Sequence, residues 1–290
     1  MSQIITALSE ISDRYDAVFV DLWGCIHNGV SPFEDAVKAM QAYRKRGGVV
    51  IYVTNAPRHR ASVAAQLAKI GVATDSYDDI ATSGDSARAA MFRGAIGEKV
   101  YFIGQPHDQT FFDPLAIIDD PVDVKQVPLT EAEGIVCCGP VDPLADPEVN
   151  RSDFLYAKQK GLKLLCANPD IVVDRGERRE WCAGALAQLY TEMGGESLYF
   201  GKPHPPIYDL ARRRLFALGH NTPDSKILCI GDGVLTDIQG AMGEDLDSLF
   251  ISGGLAAEET KTADHPDPEL LSAYLEKEMV APLFTIGKLR

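Results

Sequence analysis

"AVFVDLWGCIHNGVSPFEDAVKAMQAYRKRGGVVIYVTN", residues 17–55, decides how this chain folds. It opens with four apolar residues and passes through a polar loop. It then enters "FEDAVKAMQAYRKRGG", where Val37, Met40 and Tyr43 recur at helical spacing and two glycines stop the helix. "GVVIYVT" (48–54) follows as a second uniformly apolar run. A strand apolar on both faces belongs inside a sheet covered on two sides, so strand, helix, strand predicts a parallel βαβ unit.

The alternation continues along the chain. "KVYFIG" (99–104), "GIVCCG" (134–139), "LKLLCA" (162–167), "SLYFG" (197–201), "KILCIGD" (226–232) and "SLFI" (248–251) read as further buried strands. Amphipathic stretches at 60–70, 150–160, 182–193, 205–218 and 234–243 read as helices between them. "DPLADPE" (142–148) and "DHPDPE" (264–269) read as proline-rich acidic loops. The expected fold class is α/β, with a Rossmann-like doubly wound parallel sheet.

Composition narrows the function. The 290 residues carry 28 Lys and Arg against 42 Asp and Glu, a formal charge of −14. Such a balance repels nucleic acid and anionic membrane surfaces, so neither is an expected partner. An anionic substrate would need a local positive centre, and a divalent cation is the simplest. The six cysteines show no CxxC spacing and sit mostly in apolar runs, which points to buried free thiols rather than disulfides or zinc. No stretch approaches the roughly 18 apolar residues of a membrane span, and no signal peptide is evident, so a cytoplasmic location is expected.

Open α/β sheets bind ligands at the carboxyl ends of their strands. Asp21 ends the first strand, Thr54 and Asn55 the second, and Asp232 a late one; Lys202 follows "LYFG", and Asp237 lies five residues beyond Asp232. This inventory is coherent for phosphoryl transfer. A strand-end carboxylate can attack phosphorus to give an aspartyl-phosphate that water cleaves. Asp21 and Asp232 could share Mg²⁺, which favours oxygen ligands and substrate phosphate. Lys202 could neutralise the nucleophile or a phosphoryl oxygen. The Thr54 hydroxyl and nearby N–H groups could bind the remaining oxygens.

Asp21 in "VFVDLWGCIHNG", Thr54-Asn55 in "VTNAP", Lys202 in "GKPHPPIYDLA", and Asp232 with Asp237 in "IGDGVLTDIQGA" resemble the four motifs of the haloacid dehalogenase (HAD) superfamily. The nearest resemblance is to its class IIA branch, the sugar-phosphate, nucleotide and 4-nitrophenyl phosphatase relatives. "ANPD" (167–170) is similar to that branch's pattern as well, and the motifs stand in the same order. The resemblance implies a core of residues 1–84 and 181–290, interrupted by an inserted α/β cap domain at 85–180. It implies an Mg²⁺-dependent phosphatase of small phosphorylated metabolites, with Asp21 as nucleophile and metal ligand. Thr54 and Asn55 would bind the phosphoryl group, Lys202 would position it, Asp232 would ligate Mg²⁺, and Asp237 would support Lys202 or the metal. A homo-oligomer is compatible with this reading.

One position departs from the family pattern. Two residues after the nucleophile the family carries a second Asp, which protonates the leaving group; this chain has Trp23. That position also gives its backbone carbonyl to the metal, and a tryptophan keeps its carbonyl, so Trp23 stays among the metal ligands the resemblance implies. The general acid is lost. His27, on the same loop, is the nearest substitute. The alternative reading is a catalytically impaired relative that binds a phosphorylated metabolite or a protein partner. A dinucleotide-binding oxidoreductase is disfavoured because no G-x-G-x-x-G follows the first strand. A receiver-like phospho-acceptor domain would be far shorter.

Overall fold

A computed structural model describes residues 2–114, 120–175 and 178–290. The chain forms two compact units, one from Met1–Thr54, Ala64–Ala81 and Lys202–Arg290, the other from Asn55–Val63 and Thr82–Gly201. In chain order the elements begin with β1 (Gln3–Ile4), β2 (Ala17–Val20), α1 (Glu34–Lys45), β3 (Val49–Thr54), α2 (Arg60–Lys69) and β4 (Asp79–Thr82). The insert follows with α3 (Ser83–Phe92), β5 (Lys99–Ile103), β6 (Lys125–Gln126), β7 (Gly134–Cys137) and α4 (Arg151–Gln159). It continues through β8 (Lys163–Cys166), β9 (Val172–Arg175), β10 (Arg178–Trp181), α5 (Ala183–Glu192) and β11 (Glu196–Tyr199). The chain ends with α6 (Pro205–Ala217), β12 (Ile227–Gly231), α7 (Gln239–Gly243), β13 (Asp247–Ile251), α8 (Pro268–Lys277) and β14 (Phe284–Ile286).

The first unit is built on a seven-stranded sheet in the order β1-β14-β13-β12-β2-β3-β4. Each of β2, β3 and β12 is buried along its whole length, as an apolar run covered on both faces requires. On one face Ile207, Tyr208, Ala211 and Leu215 of α6 pack with Phe19, Ile51 and Cys229. Leu271 and Leu275 of α8 pack with Phe250 of β13 in a second cluster. The expected parallel α/β core is present.

The second unit has its own parallel sheet, ordered β11-β8-β7-β5-β6, and a separate β9–β10 hairpin. Alternate residues of one strand serve opposite layers. Ile135 and Cys137 face α4 and α5 with Phe154, Leu186 and Tyr190, while Val136 packs with Ala87 and Met91 of α3. None of these strands pairs into the larger sheet, so this unit needs no borrowed core. β11 pairs with β8 from Glu196↔Lys163 to Tyr199↔Cys166, so the return to the first unit falls at Lys202 and not near 180. The loop expected at 264–269 ends early. Asp267 caps α8, its side chain accepting from the N–H of Glu269 and Leu270, and Pro268 occupies the first turn. All six cysteines are free and buried. Among the described residues no helix is long and apolar enough to cross a membrane.

Candidate active site

Strand pairing brings two carboxylates together. β2 and β12 lie side by side in register Val20↔Ile230, and the Asp21 N–H donates to Ile230 O at 2.9 Å. Asp21 and Asp232 therefore leave the sheet at the same edge. After β12 the chain makes a π-helical turn, Val234–Ile238, where a plain helix was expected. It bends Asp237 back onto the strand end. The Asp237 N–H donates to Gly233 O at 2.8 Å, and its Oδ2 accepts from the Gly233 N–H at 3.1 Å. Lys202, the first residue after the insert, closes the cluster: its Nζ donates to Asp21 Oδ1 and, at 2.6 Å, to Asp237 Oδ1.

The electrostatics are uneven. Three carboxylates face one ammonium. Burial alone would lower the Lys202 pKa, but Asp21 and Asp237 outweigh it and hold the ammonium charged. Asp237 is pushed up by burial despite Lys202, because Asp21 shares that cation. Asp232 is pushed well above the usual carboxylate range by burial and then by the charges of Asp21 and Asp237. It has backbone help from the Leu255 N–H, which donates to its Oδ2 at 3.1 Å.

This donor set fits a hard divalent cation. Ligand atoms of Asp21, Asp232 and Cys25 lie within 4.8 Å of one another. The Cys25 thiol is held protonated by burial and by Asp232, to which it donates at 3.8 Å; the anionic donors are thus oxygens, as Mg²⁺ and Ca²⁺ prefer. Space is reserved around Asp232. A Cβ on Gly24 would come 2.2 Å from its Oδ2, and one on Gly254 would come 2.1 Å away. Cys25, Gly24 and the Leu255 N–H were not on the list read from sequence; the Gly253-Gly254 pair after β13 was the one available signal.

The cluster has a pH signature. An acid whose folded pKa is raised holds its proton more readily in the native state than in the unfolded chain. Its favourable contribution is present below the unfolded value near 3.9 and is lost as pH rises through the folded value. Metal-free protein is expected to lose thermal stability as pH rises above about 3.9, and less so in Asp232→Asn. A divalent cation should restore the wild type alone. Equal cation stabilisation of wild type and Asp232→Asn in thermal melts would refute the site.

Trp23 and His27 form a small structure of their own. The half-buried indole meets the His27 ring edge-on, with centroids 5.4 Å apart, and lies against Gly29, where a Cβ would come 2.3 Å from Cη2. His27 is 4% exposed, and its Nδ1 accepts the Gly29 N–H at 2.9 Å. Burial pushes its pKa down to about 4, so the ring is neutral at pH 7 with Nδ1 engaged. Thr54 ends β3, the strand beside β2. Asn55 belongs to the second unit, where its Nδ2 donates to Asp170 Oδ1 at 2.8 Å.

Residues 18–117 match a family model described as haloacid dehalogenase-like hydrolase, and residues 199–276 match a second one, HAD-hydrolase-like. A crystal structure of a haloacid dehalogenase-like hydrolase from Brucella suis is 38% identical, covers 99% of this chain and 100% of its own, and superposes with a TM-score of 0.85. The chain belongs to the HAD-like hydrolases, class IIA. A 5′-nucleotidase of Bacillus subtilis is 24% identical to this class IIA chain, over 88% of it and 93% of the relative. A glycerol phosphate phosphatase from Mycobacterium tuberculosis, solved in complex with calcium, is 25% identical, covers 88% of this chain and 71% of its own, and has a TM-score of 0.64.

Proposed function

We propose that this class IIA hydrolase is an Mg²⁺-dependent phosphatase of small phosphorylated metabolites that works through an aspartyl-phosphate on Asp21. The observation that carries this is the convergence of Lys202 on Asp21 and Asp237, with Asp232 leaving the neighbouring strand. A nucleophilic carboxylate and a phosphate dianion repel each other, and the cluster offers a fixed ammonium beside one of them. Asp21, Asp232 and the Trp23 carbonyl would hold Mg²⁺, which supplies charge neutralisation for the phosphoryl oxygens.

The residues then divide the work. Thr54 and Asn55 bind phosphoryl oxygens, and Lys202 fixes the Asp21 carboxylate by one oxygen, which orients the group for in-line attack. Asp21 forms the new O–P bond as the bond to the leaving group breaks, and the leaving oxygen departs with the electron pair. Water next attacks phosphorus, the Asp21 O–P bond breaks, and phosphate and a proton are released. Neither Trp23 nor His27 suits the role of proton donor to the leaving oxygen: Trp23 has no acidic proton, and His27 is neutral with Nδ1 engaged.

Hydrolysis of p-nitrophenyl phosphate in Mg²⁺ tests the proposal. Turnover should vanish with chelator and fall by roughly 10³-fold in Lys202→Ala, the cost of removing a group that stabilises developing charge. Turnover indifferent to chelator would end it. The indole at the acid position favours one alternative, a relative that binds a phosphorylated metabolite or a protein partner without turning it over. Phosphate binding with no hydrolysis of any ester would select that reading.

A further inference from the structure

We propose that Asp170 is a positioning residue for phosphoryl binding, acting through the carboxamide of Asn55. The inference rests on the phosphoryl-binding role proposed for Asn55. The chain gives Asn55 an unusual setting. Thr54 closes β3 in the seven-stranded unit, yet the next nine residues, Asn55–Val63, are built into the unit that carries the insert. There Asn55 is 4% exposed, and its Nδ2 donates to Asp170 Oδ1. Its own Oδ1 sits where Gly201 has no side chain, since a Cβ there would come within 2.4 Å of it and 2.7 Å of Ser83 Oγ. The backbone following Asn55 is fixed as well, with the Gly84 N–H donating to Ala56 O at 3.1 Å.

Asp170 is itself anchored on both sides. Its N–H donates to Asn168 Oδ1 at 3.0 Å, and its carbonyl accepts from the Gly184 N–H at 3.1 Å, at the start of α5. A carboxylate on a backbone held this firmly is a poor direct ligand for phosphate, which it repels. It is a good acceptor for one amide hydrogen. A carboxamide carries two N–H donors. Tying one to a charged acceptor fixes the rotamer, settles which end is nitrogen and strengthens the other as a donor. An anion that needs an N–H then meets one already aimed, without paying to order it.

The test is the affinity of inorganic phosphate, measured calorimetrically in Mg²⁺, so that turnover is not required. Asp170→Ala should weaken phosphate about tenfold, in line with loss of one hydrogen bond to a charged group. Asp170→Asn should recover most of the loss, because its amide oxygen still accepts from Asn55 Nδ2. Asn55→Ala should match Asp170→Ala, and the double variant should be no worse than Asn55→Ala, the coupling expected of two residues in one interaction. Losses that add would overturn the inference, as would wild-type affinity in Asp170→Ala when Asn55→Ala is impaired; the role of Asn55 would survive both. Wild-type affinity in Asn55→Ala, or no phosphate binding by the wild type, would remove that role and this inference together. Should Asp170→Ala fail to fold, Asp170→Leu, which fills the space without accepting a hydrogen bond, replaces it: a tenfold loss that Asp170→Asn does not share supports positioning, and wild-type affinity in Asp170→Leu refutes it.

Discussion

Asp21→Asn is expected to abolish phosphate-ester turnover, by about 10⁴-fold or more, while the protein folds at least as well as wild type. The rate loss follows from removing the proposed nucleophile of a two-step reaction. The second half is less usual and comes from the charge count at the site, where Asp21, Asp232 and Asp237 crowd around the single ammonium of Lys202. An asparagine keeps an oxygen that can accept from Lys202 and removes one of three mutually repelling charges. In metal-free protein the midpoint of thermal unfolding should therefore hold or rise, the usual exchange of activity for stability at a strained site. Residual turnover near wild type would mean that another group attacks phosphorus. A large drop in stability would mean that the Asp21–Lys202 pair is worth more than the repulsion it offsets.

The second large effect concerns Trp23. General acid catalysis contributes about 10²–10⁴ in rate, and it matters most when the leaving group is a strong base. Without it, the rate of the first step should fall steeply with the pKa of the departing oxygen. Aryl and acyl phosphates should be turned over far faster than alkyl phosphates under the same conditions. His27→Ala should leave that slope unchanged, because the ring is buried, its pKa lies near 4, and its Nδ1 already accepts the Gly29 N–H. Trp23→Asp should raise alkyl phosphate turnover by about 10²-fold or more and flatten the series. A shallow wild-type slope that steepens in His27→Ala would instead make the histidine the acid. Failure to turn over any ester, with phosphate still bound, would select the binding protein.

Much of this was legible in the sequence because the strands that matter are buried on both faces. β2, β3, β7, β8, β12 and β13 announce themselves as apolar runs, and a residue at the end of such a run stands where α/β sheets bind ligands. Asp21, Asp232 and Thr54 could be found in that way. Very short strands could not. β1 and β14 have two and three residues, too few to show a period. The β9–β10 hairpin is rich in charged residues. α3 opens on Ser-Gly-Asp and hides its start, although Thr82 caps it by accepting from the Asp85 N–H. β11 was recognised as a strand but assigned to the wrong unit, because partner choice is not written in a strand's own residues. The same limit hid Cys25 beside Asp232, the Leu255 N–H, and Asp170 beside Asn55, which meet across separations of 207, 23 and 115 residues.

The chain crosses between its two units four times, at Thr54–Asn55, Val63–Ala64, Ala81–Thr82 and Gly201–Lys202. In evolutionary terms the segment 82–201 is a cassette, with its own sheet and its own two apolar layers. It can drift, or be exchanged for another, while Asp21, Asp232 and Asp237 stay on the first unit. Its borders are not equally free. A recombination joint moved one residue past the C-terminal border would carry away Lys202, whereas the N-terminal border, at Ala81–Thr82, lies well clear of Asn55. Exchange of the cassette alters many residues at once, whereas the carboxylates of the first unit can change only one residue at a time.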